Sequence, residues 1–147
     1  MKTTTIDIHG YEKRYAYGRR ALFRAGISAH NRELIERFEQ YAVVSRGISL
    51  PRRAKIIEVL GRWAVCTGVR ERNFDALSPD ELKKVVIAHE DRKDLTGETK
   101  ATDKIILRLF YRWLAYGDRA ATTKEYPPTV SWMSVRIPPN ERPHLDR

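Results

Sequence analysis

The chain has 147 residues, enough for one domain with extensions, and 41% of them are hydrophobic, which suffices for a packed core. Charged residues make up 32%, and no apolar run approaches the roughly 20 residues that span a bilayer, so the composition excludes an integral membrane protein. The formal net charge of +9 favours an anionic partner such as nucleic acid.

Residues 1–29 form a basic N-terminal extension with six cations and two anions. Tyr11, Tyr15 and Tyr17 alternate with these cations, a mixture that suits contact with a nucleic-acid groove or backbone. No apolar stretch long enough for a signal peptide occurs here, so we expect a cytoplasmic protein. Packing of part of the extension on the core is expected through Ala21, Leu22, Phe23 and Ile27.

Four helices follow, each with apolar residues at helical spacing. The first is predicted to begin at Asn31, as its N-cap, and to end at Gly47. The second carries Pro51 in its first turn and stops before Gly68.

The third helix opens at Ser78 with a capping-box pattern, because Glu81 follows three residues later. The fourth contains residues 99–114 and is ended by Gly117. Upstream of it, Thr96 is best explained as a helix N-cap.

The fourth helix carries two different faces. Its apolar stripe consists of Ile105, Ile106, Leu109, Phe110, Trp113 and Leu114. A row of cations four residues apart, Lys100, Lys104, Arg108 and Arg112, lines another face. This arrangement presents positive charge from a rigid support and favours a polyanion, whereas a merely solvated helix face is the alternative.

Charge is segregated between the helices. Residues 51–66 of the second helix contain four cations and one anion, and the fourth helix is also net basic. The first and third helices are net acidic. If the two basic helices face the same way, they form one cationic surface.

Residues 118–147 are rich in proline and poor in helix-forming residues, which is typical of an extended linker. Trp132 is expected to dock on the core or on a further domain. Four residues in the helices are interpreted as structural: Trp63 and Trp113 as core, Cys66 as a buried thiol and His89 as a core-edge histidine.

Three segments resemble the N-terminal core-binding domain of tyrosine recombinases, the phage-integrase class, and archaeal members in particular. They are Gly47-Ile48-Ser49 followed by Arg53 and Lys55, the stretch 74–82, and the signature 107–114 (LRLFYRWL). The resemblance covers residues 31–114. It implies an all-α, four-helix SAM-like domain that arches over duplex DNA, with its second and fourth helices at the major groove.

The resemblance also implies the DNA-binding residues. They are Arg52, Arg53, Lys55 and Arg62 on one helix and Lys100, Lys104, Arg108 and Arg112 on the other. Most would contact phosphates and one or two would reach guanine edges, with Arg53 and Arg108 closest to the DNA.

Catalysis in that family resides in a separate C-terminal domain that supplies a tyrosine nucleophile and a set of cations. We therefore divide the chain into a basic extension (1–29), a helical core DNA-binding domain (30–117) and a linker (118–147) towards a missing catalytic domain. The chain is expected to bind double-stranded DNA as a monomer and to oligomerise on DNA only with that domain. No catalytic residue, metal ligand or cofactor is predicted, and no membrane contact is expected. A stand-alone DNA-binding regulator and a protein-interaction domain are the alternatives.

Overall fold

The computed structural model describes residues 10–136, which contain no strand and seven α-helices. These are α1 (Tyr11–Ala21), α2 (Ala29–Arg46), α3 (Leu50–Ala64), α4 (Val69–Arg72), α5 (Pro79–Glu90), α6 (Gly97–Tyr116) and α7 (Pro128–Ser131). Short 3-10 turns occupy Phe74–Ala76 and Gly117–Ala121. The all-α class is confirmed, and the four predicted helices correspond to α2, α3, α5 and α6.

The predicted start of α2 was wrong by one turn. Ser28 is the N-cap, and its hydroxyl accepts a hydrogen bond from the Asn31 amide at 3.0 Å. Asn31 lies buried in the first turn, where its side chain donates to the Val69 carbonyl and accepts from the Phe74 amide. Both residue types cap helices well, and here the buried asparagine joins α2 to α4 and to the 3-10 turn that follows it.

The other predicted helix starts are confirmed. Ser78 and Glu81 form the reciprocal capping box, with N–H···O distances of 3.1 and 2.9 Å. The Thr96 hydroxyl accepts from the Thr99 amide at 3.1 Å at the start of α6. Gly47 ends α2 in the left-handed conformation with φ 58°, which favours glycine.

The core is centred on aromatic rings from α2, α6 and the 3-10 turn between α4 and α5. The Phe110 ring lies 5.4 Å from Phe38 and 4.8 Å from Phe74, both edge-on. Trp63 and Trp113 are buried, as predicted. The long helices are therefore held by one continuous apolar cluster.

This cluster extends beyond residues 30–117 in both directions. Leu22 and Ile27 are buried on the N-terminal side, as predicted. Phe23 was predicted to pack on the core as well, but its side chain is 66% exposed. On the C-terminal side Val130 and Met133 are buried, so residues 118–136 fold back on the core rather than extend as a linker. Residues 1–9 and 137–147, the rest of the predicted arm and linker, lie outside the described residues.

Candidate nucleic-acid interface

The two basic helices, α3 and α6, lie side by side and run in opposite directions. The indole N–H of Trp63, at the end of α3, donates to the Asp103 carbonyl near the start of α6 at 3.0 Å. At the other end of the pair, Arg52 and Arg112 line the same small surface pocket, together with Arg46 of α2. The two helices therefore bring cations together at one place on the surface.

On α3, Arg52, Lys55 and Arg62 follow one another at spacings of three and seven residues, so they form a single stripe along the helix. Arg52 and Lys55 are half-buried. Neither forms an ion pair within residues 10–136. Their charges are therefore available to an external anion.

Arg53 is instead held inside the molecule by Glu39 of α2, whose side chain is fully buried. Its Nε donates to Glu39 Oε2 at 2.9 Å, and its Nη2 donates to the Tyr15 hydroxyl at 3.1 Å. The Tyr15 hydroxyl in turn donates to Glu39 at 2.6 Å, and Arg19 approaches the same carboxylate at 3.4 Å. The hydrogen bond to Glu39 raises the pKa of Arg53. The first role of Arg53 is thus to neutralise a buried carboxylate.

Arg62 has a similar partner in Asp103, which is also fully buried. Its Nε and Nη2 donate to the two carboxylate oxygens at 3.0 and 2.7 Å, the bidentate geometry that arginine favours. His89 Nε2 lies 2.9 Å from Asp103 Oδ2. Burial opposes ionisation of Asp103, but the hydrogen bonds from His89 and Arg62 hold its pKa below the usual value. His89, predicted at the core edge, lies wholly inside.

The cation row of α6 has partners at both ends. Lys100 Nζ donates to the Glu90 carbonyl at 2.7 Å, and Lys104, although almost fully buried, lies 3.0 Å from a Glu90 carboxylate oxygen. These two lysines therefore join the start of α6 to the end of α5. Their ammonium groups are therefore less accessible to an external anion than the spacing of the row predicts.

Farther along the row, Arg108 and Arg112 both stack on the ring of Tyr126, with guanidinium carbons 4.1 and 4.8 Å from its centroid. The Nε of each arginine is buried and has no hydrogen-bond partner within the described residues. The segment after α6 thus lays an aromatic ring across two of the predicted DNA contacts.

Sequence analysis missed the residues that position these cations, above all Glu39 and Asp103. A signal was present, because Glu39 stands at helical spacing from Ile35 and Ala42, both apolar. An acidic residue on an apolar stripe needs a buried cationic partner. The sequence could therefore have indicated the burial of Glu39, although not which arginine would pair with it.

Cys66 is half-buried rather than fully enclosed, and burial raises the pKa of its thiol, which disfavours the reactive thiolate. Within residues 10–136, no helix combines the length and apolar character that crossing a membrane requires. Comparison with protein families, curated proteins and solved structures finds no match to this chain.

Proposed function

We propose that this chain binds duplex DNA as the N-terminal, SAM-like core-binding half of a site-specific tyrosine recombinase of the phage-integrase class, and that it performs no catalysis by itself. The observation that carries the proposal is the pairing of α3 and α6, which brings Arg52 and Arg112 to one pocket. The sequence resemblance over residues 31–114 supplies the identity of the polyanion.

The eight predicted contacts have different roles in this proposal. Arg52 and Lys55 contact phosphates directly, because no acidic partner within the described residues competes for them. Arg108 and Arg112 join them once Tyr126 moves aside. The remaining four, Arg53, Arg62, Lys100 and Lys104, chiefly position α3 and α6 and add to the positive field.

The test is a fluorescence-anisotropy titration of a short duplex over a salt series, with a matched pair of lysine variants. Lys55→Ala removes a cation from the proposed surface, and the control Lys84→Ala removes an exposed lysine from the acidic helix α5. Each phosphate contact contributes about −0.9 to the slope of log K against log salt. We therefore expect Lys55→Ala to reduce the slope by about one unit and Lys84→Ala to leave it unchanged.

Two outcomes would contradict the proposal. Equal salt slopes for the two variants would show that the DNA does not contact Lys55 on α3. Absence of binding even at low salt would favour a protein-interaction domain, for which the structure offers the exposed apolar side chains Val44 and Ile87, 81% and 59% accessible.

A further inference from the structure

A groove of about 600 Å³ runs between α1 and α3. Its floor is apolar and includes Gly18, Leu22, Ile57 and Gly61. Its rim carries the cations Lys13, Arg14, Arg24, Arg62 and Arg92, with Glu58 as the one acidic residue among the lining residues. Such a groove suits a ligand that is negatively charged along its length and has an apolar body.

The walls of the groove are held at a fixed separation by two glycines. A Cβ atom on Gly18 would lie 3.3 Å from a methyl carbon of Ile57, and one on Gly61 would lie 3.5 Å from Leu22. Arg24 adds a hydrogen bond from its guanidinium to the Gly61 carbonyl at 2.9 Å. Because α1 and α3 pack this closely, the cations on the two walls face a preformed site.

The rim keeps a surplus of positive charge after its internal contacts are made. Arg14 approaches Glu58 only at 3.5 Å, and both side chains are largely exposed, so this pair contributes little. Arg24 bonds to a neutral carbonyl, and Lys13 is exposed with no ion pair within residues 10–136. Tyr17, beside Lys13 and Arg14 along the groove, is 69% exposed.

The groove continues the stripe of cations described on α3. Arg62 belongs to both, since it lines the groove and follows Lys55 along the helix. Glu58, one turn before Arg62 on the same helix, lies 3.7 Å from Arg62 and 3.5 Å from Arg14 on the opposite wall. Arg62 therefore makes the cations of the groove continuous with Arg52 and Lys55 on α3.

We propose that this groove is a second binding surface for the sugar-phosphate backbone of one DNA strand, separate from the contacts on α6. Lys13, Arg14 and Arg24 neutralise phosphates along the groove, while the sugars lie against the apolar floor. The inference rests on the proposed duplex binding. It assigns DNA contacts to α1, a helix that carries none of the eight predicted residues. An acidic peptide would match the charge of the rim, but the continuity with the stripe on α3 favours the DNA strand.

The test compares Lys13→Ala with Lys84→Ala in the same duplex titration over a salt series. Both replacements remove one exposed lysine without an ion pair in the described part of the chain, so neither should change the thermal unfolding midpoint. We expect Lys13→Ala to weaken binding and to reduce the salt slope by about one unit, and Lys84→Ala to match the parent chain. Adding Arg14→Ala to Lys13→Ala should reduce the slope further.

The result separates failure of this inference from failure of the proposed function. If Lys55→Ala lowers the slope and Lys13→Ala does not, the DNA lies on α3 and the groove does not hold it. If the parent chain does not bind duplex at low salt, both proposals fall. The inference would also be overturned if Lys13→Ala left DNA binding unchanged but abolished saturable binding of an acidic peptide.

Discussion

Two buried carboxylates, Glu39 and Asp103, determine what the basic residues of this protein do. Each is inaccessible to solvent and each is bonded to an arginine that the sequence assigns to DNA. A buried carboxylate left without such a partner would be strongly destabilising. Arg53 and Arg62 therefore stabilise the fold, independently of the proposed binding to DNA.

We expect Arg53→Ala to lower the free energy of unfolding by about 3 kcal/mol, because it removes the closest cation from a fully buried carboxylate. Glu39 would then keep only the Tyr15 hydroxyl and the longer contact with Arg19. Urea denaturation followed by circular dichroism measures the change. In the double variant Glu39→Gln/Arg53→Met we expect partial recovery, since the buried charge is gone. A single variant as stable as the parent chain would show that Glu39 does not depend on Arg53.

The buried carboxyl group of Asp103 should make the stability of the protein sensitive to acid. Because the pKa of Asp103 is lower in the folded state than in the unfolded chain, its stabilisation is present above the unfolded value of about 3.9 and is lost as the pH falls through the folded value. We expect the urea midpoint to fall below about pH 4 in the parent chain. Asp103→Asn should be less stable at neutral pH and should show a flatter fall in acid. An equally steep fall in that variant would assign the acid sensitivity to other carboxyl groups.

Local signals and long-range partners differ in how far the sequence predicts them. The capping box at Ser78 and the inward position of Trp63 follow from spacing within one helix, and both are confirmed. The pairing of Arg62 with Asp103 joins residues 41 positions apart, which no periodicity reveals. The eight residues assigned to DNA lie on α3 and α6, the two helices predicted from the sequence, but the sequence does not predict the internal partners of most of them.

Helices α1 and α7 show the same limit for whole elements. Helix α1 buries only Gly18 among its own residues and so has little apolar periodicity to recognise. It is held by a close glycine contact with α3, and α7 is a single turn that places Val130 in the core. Elements that pack through a glycine or one side chain give a weak pattern, whereas the long amphipathic helices were predicted well.

The segment between α6 and α7 is expected to compete with DNA, if the proposed function holds. Tyr126 covers Arg108 and Arg112, and each stack of a ring with a cation contributes about 0.5–1 kcal/mol at an accessible site. Because the ring stacks on both arginines, Tyr126→Ala should therefore increase duplex affinity by about fivefold to thirtyfold at low salt. Tyr126→Phe keeps the ring and should behave as the parent chain. Weaker binding by the alanine variant would instead place Tyr126 in contact with the DNA.

The whole molecule behaves as one packed unit across residues 10–136, which bears on how much of it is needed for folding. The core of residues 30–117 receives Leu22 and Ile27 from one side and Val130 and Met133 from the other. Each fully buried side chain of this kind contributes about 1.5–3 kcal/mol, so together they approach the entire stability of a typical domain. We therefore expect the four long amphipathic helices to depend on these flanking contacts for their stability.

We expect a shortened chain of residues 30–117 to lack a cooperative thermal transition and to give a poorly dispersed amide NMR spectrum. A chain of residues 10–136 should unfold cooperatively, because it keeps every buried contact described above. Adding back only residues 10–29 should restore part of the stability, since α1 covers α3 while the surface under α7 stays open. If residues 30–117 fold as well as the full chain, the flanking segments are accessories to a self-sufficient core. If residues 10–136 unfold cooperatively and residues 30–117 do not, the folding unit must include α1 and α7.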